Sequence, residues 1–139
     1  MTIVANTFAY VIGADTHSRT HTLAVLDART GARVDTRTFP TTPAGLSRAV
    51  AWIARRTSGL ADVLVTIGGV GSYGARLARA CQDAGYRVVE SFPTAARERR
   101  GRGKSDEIDA ELIARSVLGV DADNLRDPRQ DAGVRAALR

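Results

Sequence analysis

Three strand-like runs follow one another between residues 10 and 39 with only turns between them. Tyr10 to Asp15 reads as a buried strand that ends in a carboxylate. Thr22 to Asp27 reads as a second strand, and Val34 to Phe39, which alternates, as a third. The linkers are too short for a crossover helix, and Thr30-Gly31 is a turn signal, so the three should pair as an antiparallel meander. From Thr42 the pattern changes. Thr42-Pro43 supplies a capping residue and a proline at the first helical position. Leu46, Ala49, Val50 and Ile53 then repeat at helical spacing on a buried face, with Trp52 beside it, until Thr57-Ser58-Gly59 stops the helix. Val63 to Ile67 is a short β-branched strand of the kind buried on both sides. It runs into Gly68-Gly69-Val70-Gly71-Ser72-Tyr73-Gly74, where Ser72 reads as the cap of a helix through Leu77, Cys81 and Ala84 that stops at Gly85. Tyr86 to Val89 makes a fifth strand, Pro93 breaks the pattern, and a last helix is expected from Ser105 to about Leu118.

The order βββ-α-β-α-β-α is that of the ribonuclease H-like fold, an α/β architecture with a mixed five-stranded sheet flanked by helices. On this reading residues 1–118 form the domain. Residues 119–139 are a polar tail or the start of a truncated helical region, with Val134 to Leu138 hinting at a further helix. A chain of 139 residues is long enough for one real core. Its net charge of +5 comes almost wholly from arginine, Lys104 being the only lysine, and an arginine-rich surface fits phosphate recognition. The single Cys81 excludes an intrachain disulfide and a multi-cysteine zinc site, and is expected as a buried helix thiol in a reducing compartment. No apolar run approaches membrane-spanning length and Met1 to Thr7 lacks a signal-peptide pattern, so a cytoplasmic protein is expected.

The chemistry concentrates in Lys104 to Ala114. Ser105 can cap the last helix, and Asp106 and Asp109, three apart, share one of its faces. Ile108, Leu112, Ile113 and Val117 give a neighbouring apolar face to hold it on the core. Upstream lies a basic run, Arg97, Arg99, Arg100, Arg102 and Lys104, suited to phosphate contacts that give affinity without reading sequence. Taken alone, these residues read equally well as a capped helix after a solvated basic loop. The expected fold adds a third carboxylate. Its first strand lies centrally beside the fourth, which would bring Asp15 to Asp106 and Asp109. Three carboxylates beside a basic patch point to a divalent metal and a phosphodiester.

With these pieces assembled, the chain resembles the N-terminal catalytic domain of the DEDD transposases of insertion-sequence family 110, relatives of the Piv-type DNA invertases. The matching residues are Ile12-Gly13-Ala14-Asp15 with His17 beyond, Gly71-Ser72-Tyr73-Gly74, Pro93, and Lys104-Ser105-Asp106-Glu107-Ile108-Asp109-Ala110. They cover roughly residues 10–118. The resemblance implies a catalytic site in which Asp15, Asp106 and Asp109 hold two Mg2+ (or Mn2+) ions for phosphoryl transfer, one activating the attacking oxygen and the other stabilising the leaving oxygen. The implied partners are DNA and a guide RNA, with no membrane and with a homo-oligomer left open.

Two departures from the family pattern matter. The family has Glu just before its Gly-x-Gly-Ser-Tyr-Gly block, where this chain has Gly68, so the domain is expected to be catalytically impaired. Glu90, ending the fifth strand, could lean into that gap. The family also continues into a C-terminal domain that supplies a serine nucleophile, whereas this sequence ends at Arg139; a truncated chain, lacking that partner domain and inactive alone, is expected.

Two alternatives stay open at this point. Gly69-Val70-Gly71-Ser72-Tyr73-Gly74 is a literal G-x-G-x-x-G, and Glu90 follows at the next strand end, as in an NAD(P)-binding Rossmann-like domain. The chain could also be a non-catalytic transposon remnant or nucleic-acid-binding module. His17 and His21 read as ordinary hairpin histidines.

Overall fold

A seven-residue strand with five consecutive buried positions, β1 (Tyr10–Thr16), occupies the centre of a five-stranded sheet. The structure, a computed structural model, describes residues 2–69, 72–92 and 105–128. Pro93, the basic run from Arg97 to Lys104, Val70-Gly71 and the stretch from Val134 to Leu138 lie outside the described residues. The strand order is β3-β2-β1-β4-β5, with β2 (Thr20–Asp27), β3 (Arg33–Pro40), β4 (Val63–Ile67) and β5 (Arg87–Glu90). β1, β2 and β3 pair antiparallel, as their short linkers require, while β4 and β5 join parallel to the other side. The sheet is therefore mixed. A dinucleotide-binding fold has the same strand order with every strand parallel; the antiparallel β2 and β3 separate this chain from it.

The helices are α1 (Val4–Thr7), α2 (Pro43–Arg56), α3 (Ala75–Asp83) and α4 (Asp106–Arg115). Alternation along the strands divides the core into two layers. Ile12, Leu23, Val25, Val65 and Val88 face α2 and α3, whereas Val11, Leu26, Leu64 and Val89 face α4 and α1. α2 begins as its sequence dictates, with Pro43 in the first turn and the Thr42 hydroxyl accepting from Gly45 N at 3.0 Å. Trp52, placed beside the buried face by helical spacing, is fully buried instead. Phe39 widens that side of the core and meets the Trp52 ring edge-on at 5.6 Å. Cys81 is buried in the same layer, and loss of hydration pushes its thiol up to about 12.

The stretch after α4 returns to the sheet. Val4 N donates to Val120 O at 2.9 Å, Ala122 N to Thr2 O at 2.8 Å and Glu90 N to Arg126 O at 2.7 Å. These are backbone bonds, so no side-chain periodicity announces them.

His21 is buried in β2, and its Nδ1 has no hydrogen-bond partner among the described residues. Burial, and to a smaller degree the charges of His17 and Arg76, lower its pKa from 6.5. As pH falls below that value, the unfolded chain takes up the proton before the folded one, and stability falls with it. Replacing His21 by Leu is expected to flatten the decline in Tm between about pH 7 and about pH 5, read by thermal denaturation across that range.

Candidate metal centre

Gly13 decides where α4 lies. It shares the α4 face of β1 with Val11 and Asp15, two residues to either side. A Cβ placed on it would stand 2.1 Å from Ala110 O and 2.6 Å from Ala114 N, so the helix backbone rests directly on the glycine. Seated this way, α4 buries Ala110, Ile113 and Ala114. The apolar face expected from Ile108, Leu112, Ile113 and Val117 is thus correct only in part. Ile113 and Val117 are buried, but Ile108 is 44% exposed and Leu112 is half-buried. A helix this close to a strand turns its smallest residues inward, which carries Ile108 out.

The same contact brings the first turn of α4 to the C-terminal end of β1. Ser105 caps the helix as predicted, its Oγ accepting from Ile108 N at 3.4 Å. Asp106, at the first helical position, then faces Asp15. Between them lies His17, whose Nε2 is 3.0 Å from Asp15 Oδ2 and 3.3 Å from Asp106 Oδ1. One donor atom from each of the three lies within 4.8 Å of the others. Asp15 is buried, while His17 and Asp106 are about half exposed, so the group opens to solvent on one side. Burial alone would lower the pKa of His17, but the hydrogen bond and charge of Asp15, with Asp106 behind them, raise it above 6.5. Asp109, half-buried on the same first turn, lies outside this three-residue group.

His17 is the residue that sequence reasoning passed over as a hairpin histidine. Its signal was its position two residues beyond Asp15, because an extended chain returns side chains to one face at that interval. Its backbone N donates to Thr20 O at 3.0 Å and closes the β1–β2 hairpin, which fixes the root of the side chain.

Gly68 lies next to Asp15 across the β1–β4 pairing, which runs to Ala14 opposite Ile67. Its N donates to Ala14 O at 3.0 Å, and the Thr16 hydroxyl donates to its carbonyl. A side chain at position 68 would start 3.2 Å from Ile113 Cδ1 and 3.6 Å from Ser91 Oγ, on the α4 face where the carboxylates meet. Glu90 does not join the three-residue group. It is buried at the end of β5, with its Oε2 3.0 Å from Arg126 Nη2. Ser72 is not the helix cap its position suggested. Ser72 N and Gly74 N both donate to Gly69 O, so the turn is longer than expected. The Ser72 hydroxyl donates back to the same carbonyl, and Gly74 occupies the cap.

A family model for the DEDD transposases of insertion-sequence family 110, described as "Transposase", matches residues 12–139. The chain belongs to this family. The transposase chain also resembles solved structures. T. thermophilus RuvC in complex with Holliday junction substrate shares 17% identity at a TM-score of 0.54, over 76% of this chain and 89% of that one. The fowlpox virus Holliday junction resolvase shares 12% identity at a TM-score of 0.50, over 76% of this chain and 93% of that one. At such identities the likeness establishes the fold, a RuvC-like member of the ribonuclease H class. No curated protein matches the transposase sequence. Among the described residues, no helix is long and apolar enough to cross a membrane.

Proposed function

We propose that this transposase domain binds DNA and holds a divalent cation, Mg2+ or Mn2+, between Asp15 and Asp106 with Asp109 beside them, and that Gly68 weakens its catalysis. The observation that carries the reading is the meeting of Asp15 and Asp106, from the first strand and the last helix, on one solvent-open point. Two carboxylates and an imidazole nitrogen with this spacing are a donor set that fits a divalent cation. Bound there, such a cation would polarise a phosphodiester and offset charge developing on its oxygens. The chain's own residues do the positioning. Gly13 seats α4, the Ser105 cap fixes its first turn, and the sheet presents Asp15 from below.

DNA is the proposed substrate, by analogy with the Holliday junction bound to the RuvC that shares the fold. The basic run from Arg97 to Lys104 joins Phe92, just beyond β5, to the cap of α4, and both of these anchors stand at the carboxylate end of the sheet. In this reading a guide RNA and a C-terminal transposase domain are further partners. Gly68 favours a second reading, a domain that binds metal and nucleic acid without cutting.

Two measurements test the proposal. If the five basic residues each meet one phosphate, DNA affinity should fall by about 10^2 to 10^3 between about 50 and about 200 mM salt. Affinity indifferent to salt would remove the phosphate contacts from the reading. Saturating Mn2+ should raise Tm in the parent chain and leave Asp15→Asn unmoved, since a ligand that binds only the folded state stabilises it. An equal rise in both would place the metal elsewhere.

A further inference from the structure

The family pattern puts a carboxylate beside Asp15 on β4, and this chain has Gly68 there. It also has a nitrogen donor, His17 Nε2, 3.0 Å from Asp15 Oδ2. We propose that His17 is a direct metal ligand through Nε2, a nitrogen donor that shifts the site from Mg2+ toward divalent transition metals such as Mn2+. The inference rests on the reading of Asp15 and Asp106 as a metal site and goes further by naming a third ligand and the class of metal.

The geometry supports coordination. A single atom, Nε2, approaches both carboxylates, at 3.0 Å and 3.3 Å. Neighbouring donors about 2.1 Å from one octahedral cation lie about 3.0 Å apart, and around a tetrahedral one about 3.4 Å apart. The two separations from Nε2 therefore match the spacing of neighbouring ligands on one ion, and the donor atoms of all three residues lie within 4.8 Å of one another. The root of the side chain is anchored as well, since the hydrogen bond from His17 N to Thr20 O fixes the main chain there as it closes the hairpin. Position 68, by contrast, offers no side chain, and the nearest side-chain oxygen to its missing Cβ, Ser91 Oγ at 3.6 Å, is a neutral hydroxyl.

Ligand type then sets the choice of metal. Mg2+ is a hard cation that takes oxygen and keeps its water. An imidazole nitrogen favours the first-row transition metals, whose affinity for mixed nitrogen and oxygen sites rises from Mn2+ onward. A site made of two carboxylates and one imidazole should hold Mn2+ about tenfold or more tighter than Mg2+.

The test is pulsed electron paramagnetic resonance on the full chain loaded with Mn2+, alongside Mn2+ and Mg2+ titrations of the parent, His17→Ala and His17→Asp. The parent should show nitrogen-14 coupling to the bound Mn2+, and both variants should lose it. His17→Asp, with an all-oxygen donor set, should bind Mg2+ more tightly than His17→Ala and narrow the gap between the metals. Mn2+ bound without nitrogen coupling, or coupling that persists in His17→Ala, would overturn the role of His17 and leave the carboxylate site standing. Failure of Mn2+ to bind the parent at all would remove both readings.

Discussion

Gly13→Ala is expected to unseat α4, lowering Tm by about 10 °C and abolishing Mn2+ binding. The added methyl group would stand 2.1 Å from Ala110 O and 2.6 Å from Ala114 N, both backbone atoms with no rotamer to retreat into. Ordinary contact begins at 3.4 Å, so the whole helix must lift or tilt away from β1. Overpacking of this kind costs about 1–3 kcal/mol, and a clash with helix backbone belongs at the upper end. For a domain of this size each kcal/mol is worth about 3–4 °C in Tm. The functional loss follows from the same displacement. Asp106 Oδ1 and His17 Nε2 are 3.3 Å apart only because the first turn of α4 is held down over Asp15. Thermal denaturation and Mn2+ titration of the same variant should report both losses. Gly119→Ala is the control, because nothing lies within 4 Å of the Cβ it would add. A Gly13→Ala chain with parental Tm and parental metal affinity would mean that the helix does not need the glycine.

The contrast between Gly13 and Asp15 shows what the sequence could and could not convey. Asp15 was legible because strand ends and helix starts leave strong local signals. An apolar run ending in a carboxylate and a serine followed by acids each mark a boundary, and the fold expected from the element order sets the first strand centrally beside the fourth. Those signals sufficed to bring Asp15 to Asp106, as the structure does. They did not suffice for the packing of α4, because Ala110 and Ala114 carry little hydrophobic weight and become the buried face only through the approach allowed by Gly13. His17 was hidden for a related reason. Whether a hairpin histidine faces solvent or two carboxylates depends on a helix that arrives much later in the chain. Ser72 failed as a cap because Ser72 N and Gly74 N both donate to Gly69 O and Gly74 takes the cap, a matter of backbone hydrogen bonds that side-chain identity does not reveal. The return of residues 118–126 onto α1 and β5 is equally silent, being built largely from main-chain donors and acceptors.

Gly68→Glu is expected to reverse sign with metal: less stable than the parent without it, and more stable once Mg2+ or Mn2+ is present. The first effect has two sources. The new Cβ sits 3.2 Å from Ile113 Cδ1, the end of a flexible side chain that can yield, so packing should cost no more than about 1 kcal/mol. The larger source is electrostatic, because a third carboxylate would join Asp15 and Asp106 around the point where His17 meets them both. A divalent cation changes that balance, since like charges that repel one another in its absence become a shared ligand set in its presence. An affinity gain of about tenfold, equivalent to about 1.4 kcal/mol, is the expected size. The gain should be larger for Mg2+ than for Mn2+, because the added donor is oxygen. Calorimetric titration with each metal, paired with Tm measured with and without it, reads all of these effects. A variant that is destabilised to the same degree with and without metal would show that a side chain at position 68 repels the site without ever reaching the ion, and the missing side chain at Gly68 would then not be the reason for any weakness of the centre.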